Sequence, residues 1–302
     1  MSIPLKMMQN GFVLGRIAGI TVNANQSALF LALMLGLNLF PVFGLSLFSL
    51  IMVPLIVALF LGSLLAHEFG HALTAKGFGI ETEAITLHAL GGVAKIKGEP
   101  RTAGQEFLVA FAGPAVSFFL AASFWLIRDL AVAMTLPGAI VLAFQWLFLG
   151  NLVLGIFNLL PGLPLDGGRV LRAIVWHFTK DRKKATIVAA RVGEMIGFFF
   201  YGLAFLRLMG GDLFGALFTA GMGWFLRHAA QSERLRAEST GEGRAKQSIF
   251  DFVRTMQSAR RTRKPRGFGG SPFSNQSQVA DDDEEVVRLE DGREVYVRKK
   301  RL

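Results

Sequence analysis

The segment HEFGH holds the side chains of this sequence that are best suited to metal chemistry. His67 and His71 are four positions apart, so on a helix both imidazoles lie on one face and can bind the same metal ion. Glu68 lies beside them and can take a proton from water, as a general base does. The spacing therefore predicts a hydrolytic zinc site. The alternative is a polar helix end that contacts lipid headgroups.

The chain around this segment has the composition of a membrane protein. Of its 302 residues, 52% are hydrophobic and only 18% are charged, whereas soluble domains carry about 25% charged residues. The absence of cysteine excludes disulfides, thiolate metal ligands and thiol catalysis. Residues 17–66 contain no charge, and one spanning helix needs only about 20 apolar residues. Two histidines and a glutamate are costly to bury in such surroundings unless they have a function.

Apolar stretches with few charges predict about six transmembrane helices. They lie near 27–43 and 47–66, within 107–127 and 130–165, and near 192–209 and 212–228. Pro41 and Gly44 predict the turn between the first two. In the third, Gly113, Pro114 and Ser117 fit either close helix packing or the lining of a site. The predicted fold class is an all-α polytopic membrane protein, with small β-hairpins on the cytoplasmic side and a largely disordered C-terminal tail.

The basic residues predict the orientation of these helices. They are concentrated in the N-terminal segment, in the connection after the second span and in residues 169–191, which a six-span arrangement places on one side. Because lysine and arginine near span ends favour the cytoplasmic side, both termini are expected to be cytoplasmic, in a multi-pass protein of the cell membrane. The net charge of +10 reflects this topology, so no nucleic-acid partner is expected.

Four segments are expected along the chain. Residues 1–26 form an N-terminal cytoplasmic or interfacial segment, 27–230 the six-span core, 231–280 a disordered linker, and 281–302 a charged segment with a β-hairpin at its Asp-Gly pair.

A second hairpin is predicted between the second and third spans, where strand-forming residues flank Gly91 and Gly92. Its edge is expected to bind an extended substrate peptide through backbone hydrogen bonds, near Gly91, Gly92 and Val93. The alternative is that this hairpin only covers the cytoplasmic ends of the helices.

A zinc site needs a third protein ligand, and Asp166 is the best candidate. It lies in NLLPGLPLDGGR, where proline and glycine prevent a regular helix. Irregular backbone at membrane depth is stable only when it is buried in protein or lines a cavity. The alternative role for Asp166 is to cap a helix. Glu106 and Glu194 lie at span ends and are expected at the surface. The other acids considered are Glu81, Glu83, Glu99, Asp129, Asp181 and Asp212.

The segments HEFGHAL, AGPAVS and NLLPGLPLDGGRVLR, in this order, resemble the site-2 protease family of intramembrane zinc metalloproteases. The resemblance extends over residues 11–230 and is greatest to the prokaryotic six-span branch. It implies one zinc ion per chain, with Glu68 as the general base and with the ligands His67, His71 and Asp166. It also implies that Asn158 faces the scissile carbonyl; the alternative is that Asn158 satisfies backbone groups at the helix break.

The resemblance implies hydrolysis of a peptide bond within or near a transmembrane segment. The substrate would be a membrane protein or a signal peptide, in regulated intramembrane proteolysis or in the clearance of signal-peptide remnants, at a prokaryotic cytoplasmic membrane. The 72 residues after Ala230 are too few for the cystathionine-synthase-type domain pair that this branch often carries. Two alternatives remain: another class of membrane HExxH metallopeptidase, or a non-enzymatic transporter or scaffold.

Overall fold

The structure is a computed structural model that describes residues 11–44, 46–88, 91–261, 284–288 and 294–298. Its helices are α1 (Gln26–Phe43), α2 (Leu47–Gly77), α3 (Ala103–Ala133), α4 (Gly138–Asn158), α5 (Asp166–Thr179), α6 (Arg182–Met209) and α7 (Leu213–Arg261). Its strands are β1 (Gly11–Ile17), β2 (Ile20–Asn25), β3 (Glu81–His88), β4 (Gly91–Lys97), β5 (Glu284–Arg288) and β6 (Glu294–Arg298).

Five helices in the described part of the chain are long and apolar enough to cross a membrane: α1, α2, α3, α4 and α6. Only 11% to 33% of the residues in their apolar windows are buried inside the protein, as expected where apolar side chains face lipid. The chain is thus a multi-pass membrane protein. The sixth predicted span forms the first part of α7, which is not among the five because glycines, Arg227 and His228 lower its hydropathy. Its crossing of the membrane stays a prediction.

The turn between α1 and α2 lies where Pro41 and Gly44 predict it. Gly44 has a φ of 70°, which favours glycine over other residues. Ser46 then caps α2: its hydroxyl accepts a hydrogen bond from the backbone N–H of Ser49 at 3.1 Å, and the Ser49 hydroxyl accepts one from the Ser46 N–H at 2.8 Å. This reciprocal cap starts α2 immediately after the turn, so the two helices are antiparallel neighbours.

A four-stranded sheet in the order β1-β2-β3-β4 lies at one end of the helices. Strands β2 and β3 are parallel, so α1 and α2 form the crossover between them, and the sheet lies where α1 begins and α2 ends. Ile20 and Ile85 of the sheet pack against Ala72 of α2, which attaches the sheet beside the HEFGH segment. The hairpin predicted after the second span is confirmed as β3 and β4. The β1–β2 hairpin in the N-terminal segment was not foreseen from its residues.

The tail differs in part from the expectation. Helix α7 continues to Arg261, so residues 231–261 of the expected disordered linker are helical. The alanine, glutamate, arginine and glutamine residues that follow Ala230 have high helix propensity, which explains the extension. Residues 262–283 lie outside the described part. The predicted C-terminal hairpin is present as antiparallel β5 and β6, within a separate compact unit, residues 249–302.

Candidate metal centre

Three buried or partly buried side chains meet at a single point of the helix bundle. Nε2 of His67 and Nε2 of His71 each lie 3.1 Å from Oδ2 of Asp166, and the two Nε2 atoms are 3.3 Å apart. In a tetrahedral zinc site with bonds of about 2.0–2.1 Å, ligand atoms lie about 3.3 Å from one another. Two imidazoles and a carboxylate at these distances therefore fit a zinc ion. The structure brings together the three residues that the sequence predicts as ligands.

Helix α3 orients both imidazoles. Nδ1 of His71 lies 2.7 Å from the carbonyl oxygen of Val109, to which it donates, and Nδ1 of His67 lies 2.8 Å from the hydroxyl of Ser117. Donation from Nδ1 leaves the lone pair of the neutral His71 ring on Nε2, and a hydrogen bond at Nδ1 fixes the plane of each ring. Both rings therefore present Nε2 toward Asp166.

Gly113 of α3 explains how this helix approaches the two rings so closely. A Cβ atom at this position would lie 2.2 Å from Nε2 of His71 and 2.7 Å from Nε2 of His67, so only glycine fits. Gly113 and Ser117 therefore line the site, which is one of the two roles their sequence allowed. The glycine in AGPAVS was the sequence signal for this close approach, but the sequence does not show which side chains the glycine meets.

The proline- and glycine-rich connection between α4 and α5 positions Asp166. Leu163 is buried against Ala189 and Ala190 of α6, and a Cβ at Gly168 would lie 2.1 Å from the backbone nitrogen of Leu163. This compact connection anchors the start of α5 to α6. The residue before α5 is Leu165, and no side chain caps this helix. Asp166 is therefore not the helix cap that the alternative interpretation required.

The two oxygens of the Asp166 carboxyl face different groups. Oδ2 lies 3.1 Å from Nε2 of each imidazole. The second oxygen, Oδ1, lies 3.9 Å from the guanidinium of Arg169. A carboxylate is the form that binds a metal ion.

Glu68 is buried beside the two imidazoles but is not part of the ligand group found among the described residues. The backbone N–H of Gly92 in β4 donates a hydrogen bond to its carboxylate. A Cβ at Gly92 would lie 2.2 Å from Cγ of Glu68, so β4 approaches the glutamate at a distance that only glycine allows. Of the predicted substrate-binding residues Gly91, Gly92 and Val93, all in β4, Gly92 therefore contacts the predicted base itself.

The ligand group opens into a cavity of about 720 Å³. Asn158 and His88 line it together with the three metal ligands. Burial lowers the pKa of His88, so its imidazole is neutral at neutral pH. The Asn158 amide donates to the carbonyl of Leu154 at 3.0 Å, so one amide hydrogen is bound to its own helix. The rest of the cavity is mainly apolar, with α1 and α7 contributing Phe30, Leu31, Met34, Phe218, Met222 and Phe225.

The predicted surface positions of two glutamates are wrong. Glu106 is fully buried and forms an ion pair with Arg172 of α5. Glu194 has a side chain only 21% exposed and bonds Arg234 of α7 at 2.8 Å. Both acids lie at span ends, as predicted, but each finds an arginine on a helix that packs beside it. A single sequence does not show such pairs.

Comparison with known proteins agrees with this geometry. The family model of peptidase family M50 matches residues 55–141 and 131–201 of the chain. Residues 55–201 of this chain thus match peptidase family M50. The matched segment contains HEFGH, the α3 residues that contact it, and Asp166. Strands β1 and β2 lie outside it, as do α1 and α7.

The relatives of this chain include bacterial and archaeal proteins. Rip3 of Mycobacterium tuberculosis, named as a candidate zinc metalloprotease, is 37% identical over 253 residues, which cover 82% of this chain and 63% of that protein. Zinc metalloprotease MJ0392 of Methanocaldococcus jannaschii is 34% identical over 170 residues, covering 56% of this chain and 46% of that protein. The chain thus spans less than two thirds of the length of these relatives.

The solved structure of the site-2 protease from Methanocaldococcus jannaschii has a similar fold. The TM-score is 0.52 at 26% sequence identity, and the similarity covers 74% of this chain and 95% of that chain. The resemblance to the site-2 protease family is therefore confirmed.

Proposed function

We propose that this chain is a zinc-dependent intramembrane endopeptidase that hydrolyses a peptide bond within or near a transmembrane segment of its substrate. The observation that supports this most directly is the meeting of His67, His71 and Asp166 inside an apolar helix bundle, at distances that suit one zinc ion. Relatives named as zinc metalloproteases support the choice of ion. When bound, zinc would activate a water molecule and polarise the scissile carbonyl.

The depth of the ligand group supports cleavage inside the membrane. Helix α2 has 31 residues and is therefore about 46 Å long, which exceeds the ~30 Å thickness of a hydrocarbon core. His67 lies ten residues before its C-terminal end, or about 15 Å along the axis. A helix of this length centred on the bilayer places His67 within the hydrocarbon region. The cytoplasmic orientation of this end rests on the distribution of basic residues.

In this proposal Glu68 is the catalytic residue that moves protons. Its carboxylate, oriented by the N–H of Gly92, accepts a proton from the attacking water and returns it to the amide nitrogen that leaves. Asn158 faces the same cavity from the end of α4, where its amide would hydrogen-bond the scissile carbonyl. Its bond to Leu154 holds the side chain in a fixed rotamer for this role.

The substrate is a membrane protein or a signal-peptide remnant whose helix unwinds near the cleavage site. The apolar cavity wall formed by α1 and α7 suits its side chains, while unwinding leaves its backbone groups unpaired at membrane depth. Strand β4 is an edge strand of the described sheet and reaches Glu68 through Gly92. Adding the substrate as a further strand beside Gly91, Gly92 and Val93 would satisfy those backbone groups next to the base.

Single proline substitutions along residues 93–96 test this strand addition. At positions whose N–H points away from β3, proline removes a donor that the substrate would use, and cleavage should slow roughly 2- to 10-fold, as expected for one lost hydrogen bond. Zinc content should not change. Thr86→Ala in β3 serves as a control and should cleave normally, because backbone contacts bind the substrate. If all folded, zinc-containing proline variants cleave at the wild-type rate, the hairpin only covers the helix ends.

The proposed activity is tested by comparing membrane proteomes of cells that produce either the wild-type protein or Glu68→Gln. Uncleaved forms of a few membrane proteins or signal peptides should accumulate with the variant. Identical proteomes would contradict proteolysis. Metal analysis separates the alternatives: another HExxH class, with a glutamate third ligand, would keep its zinc in Asp166→Ala, and a transporter or scaffold would hold no stoichiometric zinc in the wild type.

A further inference from the structure

We infer that the buried ion pair between Glu106 and Arg172 is a positioning device for the metal centre, which holds Asp166 in register with the two histidines. The inference rests on the proposed function. Glu106 lies near the start of α3 with a fully buried side chain, and the Arg172 side chain is only 14% exposed. Nε and Nη2 of Arg172 both donate to Oε1 of Glu106, the first at 2.7 Å.

One face of α3 connects this ion pair to the ligands. Glu106, Val109, Gly113 and Ser117 recur at spacings of three and four residues, so they form one stripe along the helix. The last three of them contact the imidazoles of α2. The stripe therefore orients the α2 ligands at its middle and end, and contacts α5 at its beginning.

Through this ion pair, the stripe on α3 contacts α5, the helix that carries the third ligand. Arg172 follows Asp166 by six residues on α5, which is about 9 Å along the axis. Two donors of one planar guanidinium on a single carboxylate restrict both rotation and sliding of α5 against α3. A rotation of α5 would move Oδ2 of Asp166 away from its 3.1 Å distances to the imidazoles.

The energetics favour positioning over stability. A buried ion pair adds little to stability, because desolvation of the two charges offsets their attraction, and its better-attested effect is to specify one arrangement. Glu106 is also close to a second cation: Nε of Arg182 in α6 lies 3.8 Å from Oε2. The glutamate thus lies close to α5, which begins with Asp166, and to α6, against which Leu163 of the α4–α5 connection packs.

The test replaces Arg172 with lysine, which keeps the positive charge but lacks the planar guanidinium with its two donors to Glu106. Zinc affinity of the purified, folded variant should fall about 10- to 100-fold, the range seen when a group that orients a ligand is removed. With cobalt in place of zinc, the visible absorption spectrum should shift, because it reports the coordination geometry. Arg234→Lys is the matched control: its ion pair with Glu194 is also partly buried but links α6 to α7. It should leave the affinity and the spectrum unchanged.

A second variant covers the case in which lysine is not tolerated. Glu106→Gln with Arg172→Gln removes both charges and keeps an amide pair, and it should show the same loss of affinity and the same spectral shift. Wild-type affinity and spectrum in either folded variant would overturn the inference, as would failure of both variants to fold while Arg234→Lys folds. Failure of the proposed function looks different: the wild-type protein itself would bind no zinc or cleave nothing.

Discussion

Glu68→Gln should abolish peptide-bond cleavage by the purified protein while zinc remains at about one ion per chain. Glutamine keeps the shape of the side chain and its place beside the Gly92 N–H, but it cannot accept a proton. Removing a general base costs roughly 10²- to 10⁴-fold in rate. The measurement is cleavage of a reconstituted transmembrane substrate, with metal content determined on the same sample.

His67→Ala and Asp166→Ala are the companion variants, because both remove an atom of the ligand group. They should lose zinc and activity together, whereas Glu68→Gln should separate the two. A Glu68→Gln protein that cleaves at the wild-type rate would show that another group moves the proton. One that lacks zinc would show that Glu68 is a ligand.

Gly113→Ala should prevent zinc binding, although it adds only a methyl group. The new Cβ would lie 2.2 Å from Nε2 of His71 and 2.7 Å from Nε2 of His67, the two atoms that would bind the ion. Either α3 or both rings must move. The loss of zinc affinity should therefore exceed the roughly 10- to 100-fold that is typical when a group hydrogen-bonded to a metal ligand is removed. Zinc titration of the purified variant measures it.

Gly104→Ala in the same helix is the matched control, because a Cβ there meets no atom within 4 Å. It should bind zinc as the wild type does and unfold at the same or a slightly higher temperature. Ser117→Ala removes the partner of His67 Nδ1 without adding volume, and a loss of about 10- to 100-fold is expected. Wild-type zinc affinity in folded Gly113→Ala would show that α3 does not lie against the two rings.

The sequence alone predicted the parts of this protein that depend on local periodicity. The four-residue spacing of His67 and His71 places them on one helix face whatever the helix packs against. Uncharged stretches identified five helices that can span a membrane because lipid demands apolar side chains and internally bonded backbone. Proline and glycine around Asp166 marked an irregular segment. At membrane depth such a segment is stable only when it is buried in protein or lines a cavity.

Tertiary structure decided the contacts that join distant segments. Asp166 meets His67 across 99 residues, and the Ser117 hydroxyl meets His67 across 50. Polar side chains at the ends of helices have no periodic signature of their partners. Glu106 therefore looked like a surface residue until α5 brought Arg172 to it.

Glycine shows the same division between local and tertiary information. Gly44 could be interpreted from the sequence, because a turn between two apolar helices requires its backbone freedom. Gly92 and Gly113 are required for a different reason, since the space for a Cβ is taken by Glu68 in one case and by the two imidazoles in the other. The residues that occupy that space belong to α2 in both cases. Only the packing of α3 and β4 against α2 determines that these two positions admit no side chain.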